Sequence, residues 1–136
     1  MKTPMCSQAP NYKPKVYLAG PMSNKPYFNF PAFFEAEQRL LDKGYEVFSP
    51  ARHDADTYGL EGFMNCCSGT HEEAKAIFGD HAPTYRECLK VDLNWILDNA
   101  DAIALLPGWE DSKGVAAEVA LAKCLGLEFI YLDTAA

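Results

Sequence analysis

The sequence lacks several features that would assign it to a common class of protein. It has no run of 18 apolar residues that could cross a membrane, and its N-terminus has no signal-peptide core. Its net charge of −7 leaves no basic stripe for a DNA or RNA backbone. Its five cysteines are an odd number without the spacing of a disulfide framework. We therefore expect a cytoplasmic protein with reduced thiols and with neither a membrane nor a polymeric nucleic acid as partner.

Motifs for metals and for nucleoside triphosphates are also missing. There is no Cys-x-x-Cys pair, and the adjacent Cys66 and Cys67 suit tetrahedral zinc poorly. The loop at residues 20–26 has neither the GxGxxG pattern nor the Gly-Lys-Ser/Thr of a P-loop. We therefore expect no metal site. The sequence also disfavours a dinucleotide-binding protein and an enzyme that hydrolyses nucleoside triphosphates.

Short apolar runs alternate with helical patterns along the chain. The helical patterns begin near Pro31 and at residues 71, 85 and 114, and the apolar runs predict strands at residues 16–19, 46–49, 102–106 and 129–132. Strands that are apolar throughout are typical of a parallel sheet covered on both faces. The order predicts an α/β fold: a single Rossmann-like (flavodoxin-like) doubly wound sheet of four or five mainly parallel strands.

The length of 136 residues indicates one domain. Residues 1–14 hold three prolines and no periodicity, so we interpret them as a flexible leader before a domain at residues 15–136. Residues 51–85, rich in glycine, are the least regular part. We interpret them as an insertion that forms a lid or a substrate-facing loop.

The last helix carries the clearest candidate site. Ser112 is placed to cap the helix, and the free amides of its first turn would attract an anion. Gly114 and Glu118 are four residues apart and share one face, so a ligand could approach the helix beside the carboxylate. This arrangement could hold a phosphorylated sugar. The alternative, a cap and a surface salt bridge without function, stays open on periodicity alone.

Two aspartates could complete this site. Asp92 lies on the preceding helix, off its apolar stripe, and could approach Glu118 at the carboxyl edge of the sheet. Asp101 precedes a strand and could be a turn residue only. Two carboxylates in different environments are the usual equipment for cleaving a glycosidic bond.

The loop after the first strand lies at the same edge of the sheet and could approach a ligand through its amides. Tyr17 and Trp109 could stack on a nucleobase, although plain packing in the core or a loop is the more common role of such residues.

At these residues the chain resembles the nucleoside 2-deoxyribosyltransferase superfamily, and within it a small, often phage-encoded branch of formerly unknown function. It is also similar to the 2'-deoxynucleoside 5'-monophosphate N-glycosidases. The most specific motif is Ser112-x-Gly114-x-x-x-Glu118, and the matching segments are residues 16–22, 28–33, 92–96, 99–101 and 106–118.

The resemblance implies a role for each matching residue. Glu118 would be the nucleophile at C1' of a deoxyribose, Asp92 would assist departure of the base, and Tyr17 would lie near the sugar or Glu118. Asp101 would give support from outside the site. The other substrate-binding residues would be Gly20, Pro21, Met22, Ser23, Asn29, Gly108, Trp109, Ser112 and Gly114.

The residue type at position 112 helps to distinguish between two classes of substrate, free nucleosides and nucleoside monophosphates. Transferases that act on free nucleosides commonly have an aspartate at this place, whereas the monophosphate hydrolases have a serine that meets the phosphate. The first loop lacks the arginine of those hydrolases, so phosphate binding would rest on Ser23, Asn24 and Ser112, with Lys25, Arg52 or Arg86 as candidate cations.

The resulting expectation is a hydrolase that releases the base from 2'-deoxynucleoside 5'-monophosphates without a metal or organic cofactor. The alternatives are a deoxyribosyltransferase that exchanges bases and a nucleotide-binding sensor without catalysis. The expected partners are a small nucleotide or nucleoside and, from the resemblance, further copies of the chain in a homo-oligomer.

Overall fold

A parallel sheet of four strands forms the centre of the computed structural model, which describes residues 12–82 and 84–132. The spatial order is β2-β1-β3-β4, and the strands are β1 Lys15–Ala19, β2 Glu46–Phe48, β3 Ala102–Leu105 and β4 Glu128–Tyr131. Every predicted strand is present within a residue or two of its expected bounds. The predicted Rossmann-like α/β fold is therefore confirmed.

Helices cover the sheet. Six are present in the described part of the chain: α1 Phe30–Asp42, α2 Pro50–Tyr58, α3 Leu60–Met64, α4 His71–Phe78, α5 Tyr85–Asn99 and α6 Lys113–Leu125. The four predicted helical patterns are α1, α4, α5 and α6. The predicted insertion is helical over most of its length, because it contains α2 and α3 as well as α4.

Side-chain caps fix where several helices begin. The Thr70 hydroxyl accepts a hydrogen bond from the Glu73 amide at the start of α4, as the sequence predicts. At the start of α5, Thr84 and Glu87 form a reciprocal capping box. Ser112 caps α6, since its Oγ accepts from the Val115 amide at 3.4 Å. These caps satisfy amides that would otherwise lack a partner.

The two faces of the sheet bury different layers. Val16 and Leu18 of β1 pack with α1 and the insertion, whereas Tyr17 and Ala19 face α5 and α6. This alternation follows from the two-residue period of a strand. As a result, the Tyr17 side chain points towards the helices that carry Asp92 and Glu118.

The predicted leader, residues 1–14, lies outside the described residues except for residues 12–14. Within the described part of the chain, no helix is both long enough and apolar enough to cross a membrane.

Candidate active site

A cavity of about 550 Å³ opens at the carboxyl edge of the sheet. The loops after β1 and β3 contribute to its wall, as do α1 to α6. This is the edge at which open α/β sheets bind ligands, and the volume falls in the usual range of small-molecule sites. Nine of the predicted site residues line the cavity: Gly20, Pro21, Met22, Ser23, Asp92, Gly108, Ser112, Gly114 and Glu118.

Glu118 is a buried carboxyl group, with 5% of its surface exposed. It projects from α6, whose other buried residues are Val115, Val119 and Ala122. Its Oε2 accepts a hydrogen bond of 2.7 Å from the hydroxyl of the fully buried Tyr17. Glu118 is therefore a buried group that lines a cavity, not a member of a surface salt bridge.

The Tyr17 hydroxyl also interacts with the carboxyl group of Asp92, so one hydroxyl serves two acids from different helices. The Tyr17 ring is held between its neighbours, because it stacks on Phe48 with ring centroids 5.8 Å apart and lies 6.3 Å from Trp95. Tyr17 itself does not line the cavity. In this structure its hydroxyl therefore contacts the two acids and not the cavity itself.

The site favours protonated carboxyl groups. Burial raises the pKa of Glu118 to about 8, with a contribution from the negative charge of Asp92. Burial likewise raises the pKa of Asp92 to about 7. The interaction with Tyr17 opposes both shifts, because it stabilises the ionised carboxylate. Near neutral pH the pair therefore shares protons, and the pKa values belong to the coupled pair.

A third acid, Asp54, lines the same cavity and was not predicted from the sequence. It lies on α2, and burial together with the charge of Asp92 raises its pKa to about 7. Cys88 of α5 is beside these acids, and burial raises the pKa of its thiol to about 12. One signal in the sequence could have indicated Asp54. It follows the predicted second strand by a few residues, and parallel strands end at the same edge.

The start of α6 forms a different part of the cavity wall. Ser112, Lys113 and Gly114 all line it, and the first-turn amides of Lys113 and Gly114 have no acceptor within the helix. The Tyr85 hydroxyl lies over Gly114, since a Cβ added there would be in ordinary contact with Tyr85 Oη at 3.5 Å. The sequence predicts an anion pocket at these residues, and the positive end of a helix dipole would favour a negative ligand there.

The cationic side chains at the cavity differ in part from those expected. Lys25, one of the three candidate cations, lines the wall, and so do His71 and Lys113, which were not predicted. Arg52 instead pairs with Glu37 at 3.3 Å, and its guanidinium lies 4.4 Å from the centre of the Phe34 ring. Neither Arg52 nor Arg86 is among the described residues that line the cavity.

The loop between β1 and α1 has an unusual backbone. Asn24, Tyr27, Phe28 and Asn29 all have positive φ values, which non-glycine residues rarely adopt. The Asn29 side chain does not line the cavity but donates a hydrogen bond of 2.9 Å to the carbonyl oxygen of Pro21. It therefore holds the cavity-lining part of the loop. Strained backbone of this kind is concentrated at functional sites.

Besides Tyr17 and Asn29, two further predicted residues do not line the cavity. Asp101 precedes β3 at the opposite end of the strands, where its carboxylate accepts hydrogen bonds from Tyr12 Oη and, at 2.9 Å, from the Lys15 amide. Trp109 packs against the core between α5 and α6 and lies 6.3 Å from the Tyr131 ring. Neither Asp101 nor Trp109 is among the described residues that line the cavity.

Metal-ligating side chains are not clustered. Among the side chains that the structure describes, no group of three or more His, Cys, Asp or Glu residues could hold a metal ion. The described cysteines, Cys66, Cys67, Cys88 and Cys124, are free thiols.

A scan of family models matches the chain over residues 14–131 to a family described as a domain of unknown function (DUF4406). No curated protein matches the sequence. No solved structure matches it either.

Proposed function

The chain belongs to the DUF4406 family, and from the geometry of its cavity we propose that it cleaves the N-glycosidic bond of 2'-deoxynucleoside 5'-monophosphates. One observation carries the proposal. The same helix, α6, presents its Ser112-capped start and the buried carboxyl group of Glu118 to a single cavity. The sequence resemblance to nucleoside deoxyribosyltransferases and monophosphate N-glycosidases supports the same chemistry.

The spacing along α6 suits a sugar phosphate. Ser112 and Glu118 are six residues apart, which corresponds to about 9 Å along a helix axis. A phosphate bound at the helix start would leave the sugar beside the carboxyl group one and a half turns further on. Gly114 lies between Ser112 and Glu118 on α6, and its lack of a side chain leaves the volume of the cavity to the sugar.

In the proposed reaction, an ionised Glu118 oxygen forms a bond to C1' while the bond from C1' to the base nitrogen breaks. The electron pair of that bond leaves with the base, and the transition state has oxocarbenium character. The hydrogen bond from Tyr17 favours the ionised form of Glu118. Water then attacks C1', which releases deoxyribose 5-phosphate and restores the carboxylate.

The polar groups that line the cavity favour a monophosphate over a free nucleoside. Lys25, His71 and Lys113 line the cavity together with the Ser112 cap and offer cationic or donor groups to a phosphate. Asp111 also lines the cavity and opposes a negative ligand, so the donors must outweigh one carboxylate.

The first test is a panel of 2'-deoxynucleoside monophosphates and free nucleosides, assayed by chromatography for released base. We expect release from monophosphates, and we expect Glu118→Gln to lose at least about 10³-fold in rate because it cannot form the covalent intermediate. Glu35→Gln, an exposed change on α1, is the matched control. Exchange of bases when a free base is added would make the protein a transferase. No release from any substrate, with nucleotide binding unchanged in Glu118→Gln, would leave a sensor.

Substrate class is tested at Ser112 with two variants that both cap helices. Ser112→Asp retains a cap but adds a negative charge, whereas Ser112→Asn retains a cap and stays neutral. We expect Ser112→Asp to lower kcat/KM for monophosphates at least about tenfold more than Ser112→Asn does, since one repulsive contact of about 1.4 kcal/mol has that effect. Equal effects of the two variants on monophosphates would contradict a phosphate at this helix start.

A further inference from the structure

Asp54 is an acid of the cavity that has no role in the reaction described so far. It projects from α2, which begins directly after β2 at the carboxyl edge of the sheet. Asp92 of α5 and Glu118 of α6 line the same cavity, so three different helices each contribute one carboxyl group. A reaction with one nucleophile and one proton donor requires only two acids, so the cavity has one carboxyl group more than this chemistry needs.

The hydrogen-bonding partners of the three acids differ. The Tyr17 hydroxyl donates to Glu118 Oε2 at 2.7 Å and also interacts with Asp92, and such a donor stabilises the ionised form of a carboxyl group. In the described part of the chain, no side chain or amide donates a hydrogen bond to the Asp54 carboxyl group. Asp54 therefore lacks the support that the other two acids have for a negative charge.

The groups that face Asp54 also favour its protonated form. Asp92 and Cys88 face it from α5, and Tyr58 lies near it on α2. Asp92 adds a negative charge, whereas burial keeps the Cys88 thiol neutral with a pKa of about 12. None of these groups is a cation that could stabilise an Asp54 carboxylate.

We propose that Asp54 is the catalytic acid of this site and gives its proton to the departing base, while Asp92 is ionised in the reactive form of the enzyme. This role rests on the proposed function. As the bond between C1' and the base nitrogen breaks, the base takes the electron pair of that bond and the proton of the Asp54 carboxyl group. The water that later attacks C1' returns a proton to Asp54. Atoms and charges balance over the two steps.

If Asp54 protonates the departing base, only substrates whose base needs a proton should depend on Asp54. A base that leaves as a neutral molecule, such as 7-methylguanine, needs no proton at the moment of cleavage. The matched pairs are therefore the monophosphates of guanine and 7-methylguanine, or, if the protein cleaves pyrimidines, those of uracil and the better leaving group 5-nitrouracil. The variants are Asp54→Asn, Asp92→Asn and, as a control on the same helix, the exposed Asp56→Asn.

We expect Asp54→Asn to lower kcat/KM for the ordinary base at least about 100-fold, the usual contribution of a general acid, and to change it less than about threefold for the activated base. Asp92→Asn should impair both substrates alike, and Asp56→Asn neither. In Asp54→Asn the decline of kcat/KM at alkaline pH should also disappear, because that decline reports loss of the acid's proton.

The outcomes separate this role from the proposed function. If the wild type releases no base from any substrate, both are overturned. If the wild type is active and Asp54→Asn behaves like Asp56→Asn, or loses both substrates equally, only the role of Asp54 is overturned. Rescue of Asp92→Asn by the activated base would instead assign the proton to Asp92.

Discussion

At the scale of single residues, the electrostatics of the site depend on one phenol. Tyr17 is fully buried on β1, and its hydroxyl meets Glu118 and Asp92, which come from two different helices. Burial and the two nearby acids raise the pKa of Tyr17 well above its usual value, so it stays a neutral donor. A neutral donor stabilises carboxylates without adding a charge, and this lowers the pKa values that burial has raised.

Replacing Tyr17 by phenylalanine removes this donor and keeps the ring that stacks on Phe48. The pKa of Glu118 should then rise further, so less of the nucleophile is ionised near neutral pH. We expect Tyr17→Phe to lower kcat/KM roughly tenfold or more at pH 6.5 and to recover much of the loss at pH 8.5. Tyr131→Phe, at an exposed position, should change neither value. A loss of equal size at both pH values would mean that the hydroxyl does not act on ionisation.

Single residues also differ in how well the sequence reveals them. Glu118 could be predicted because it interrupts a helix of apolar and small residues directly after a capping serine. Asp54 is marked less clearly: only its place shortly after the second strand indicates it, because it lies in α2 among polar residues and no apolar period marks one face. Asp101 matches the family motif equally well, yet it lies at the other end of its strand.

At the scale of elements, the insertion supports the loop that lines the cavity. The Asn24 amide donates to the Gly69 carbonyl oxygen at 2.9 Å, and the Tyr27 amide donates to the Cys66 carbonyl oxygen at 3.0 Å. These contacts tie the left-handed residues of the loop between β1 and α1 to the turn before α4. The free energy cost of the left-handed residues is thus offset by hydrogen bonds from the insertion.

Helices of the insertion illustrate what a local pattern cannot reveal. Helix α4 has a capping threonine and acidic first-turn residues, so its bounds could be predicted. Helix α3 has only five residues and contains Gly62, which is unfavourable in an isolated helix. It is held by tertiary packing, since the Phe63 ring lies 4.7 Å from Phe30 and 4.8 Å from Phe78.

Substitution at Gly69 tests the connection between insertion and loop. Gly69 has a φ of +69°, and an added Cβ would lie 1.9 Å from the Lys25 carbonyl oxygen, so the backbone of the loop must move. Gly126 has a φ of +70° with nothing near an added Cβ, and Gly126→Ala therefore measures the backbone cost alone.

We expect Gly126→Ala to lower the free energy of unfolding by about 1 kcal/mol and Gly69→Ala by about 2 kcal/mol more, measured by urea denaturation. Gly69→Ala should also raise KM for monophosphates, because the displaced loop carries Ser23 and Lys25. An unchanged KM in a folded Gly69→Ala variant would show that the insertion does not control the loop.

At the scale of the whole molecule, the parallel sheet determines which residues meet. Chain segments that follow β1, β2 and β3 reach one edge, and they bring Ser23, Asp54 and Ser112 to a single cavity. The order of strands and helices could be predicted from apolar runs and helix caps. The approach of Asp92 to Glu118 could be predicted from the same order, whereas the arrival of Asp54 in their cavity depends on how α2 packs.

This convergence should make the folded protein less stable as the pH rises. The pKa of Glu118 is about 8 in the folded state and near 4.5 when unfolded. Between these values the unfolded chain releases a proton that the folded protein keeps, so the stability contributed by the protonated group is lost as the pH rises towards 8. Asp54 and Asp92, with pKa values raised to about 7, act in the same direction.

Glu118→Gln removes the ionisation but keeps an oxygen that can accept the Tyr17 hydrogen bond. We expect its melting temperature to exceed that of the wild type by roughly 5 °C or more at pH 8.5 and by much less at pH 5.5, since each unit of pKa shift corresponds to about 1.4 kcal/mol. Glu35→Gln, at an exposed position of α1, should show no such trend across the same buffers.

A difference in melting temperature between Glu118→Gln and the wild type that does not grow with pH would mean that Glu118 ionises in the folded protein as freely as in the unfolded chain. In that case its burial would impose no electrostatic cost, and the protons assigned to the cavity near neutral pH would have to reside on Asp54 and Asp92 alone.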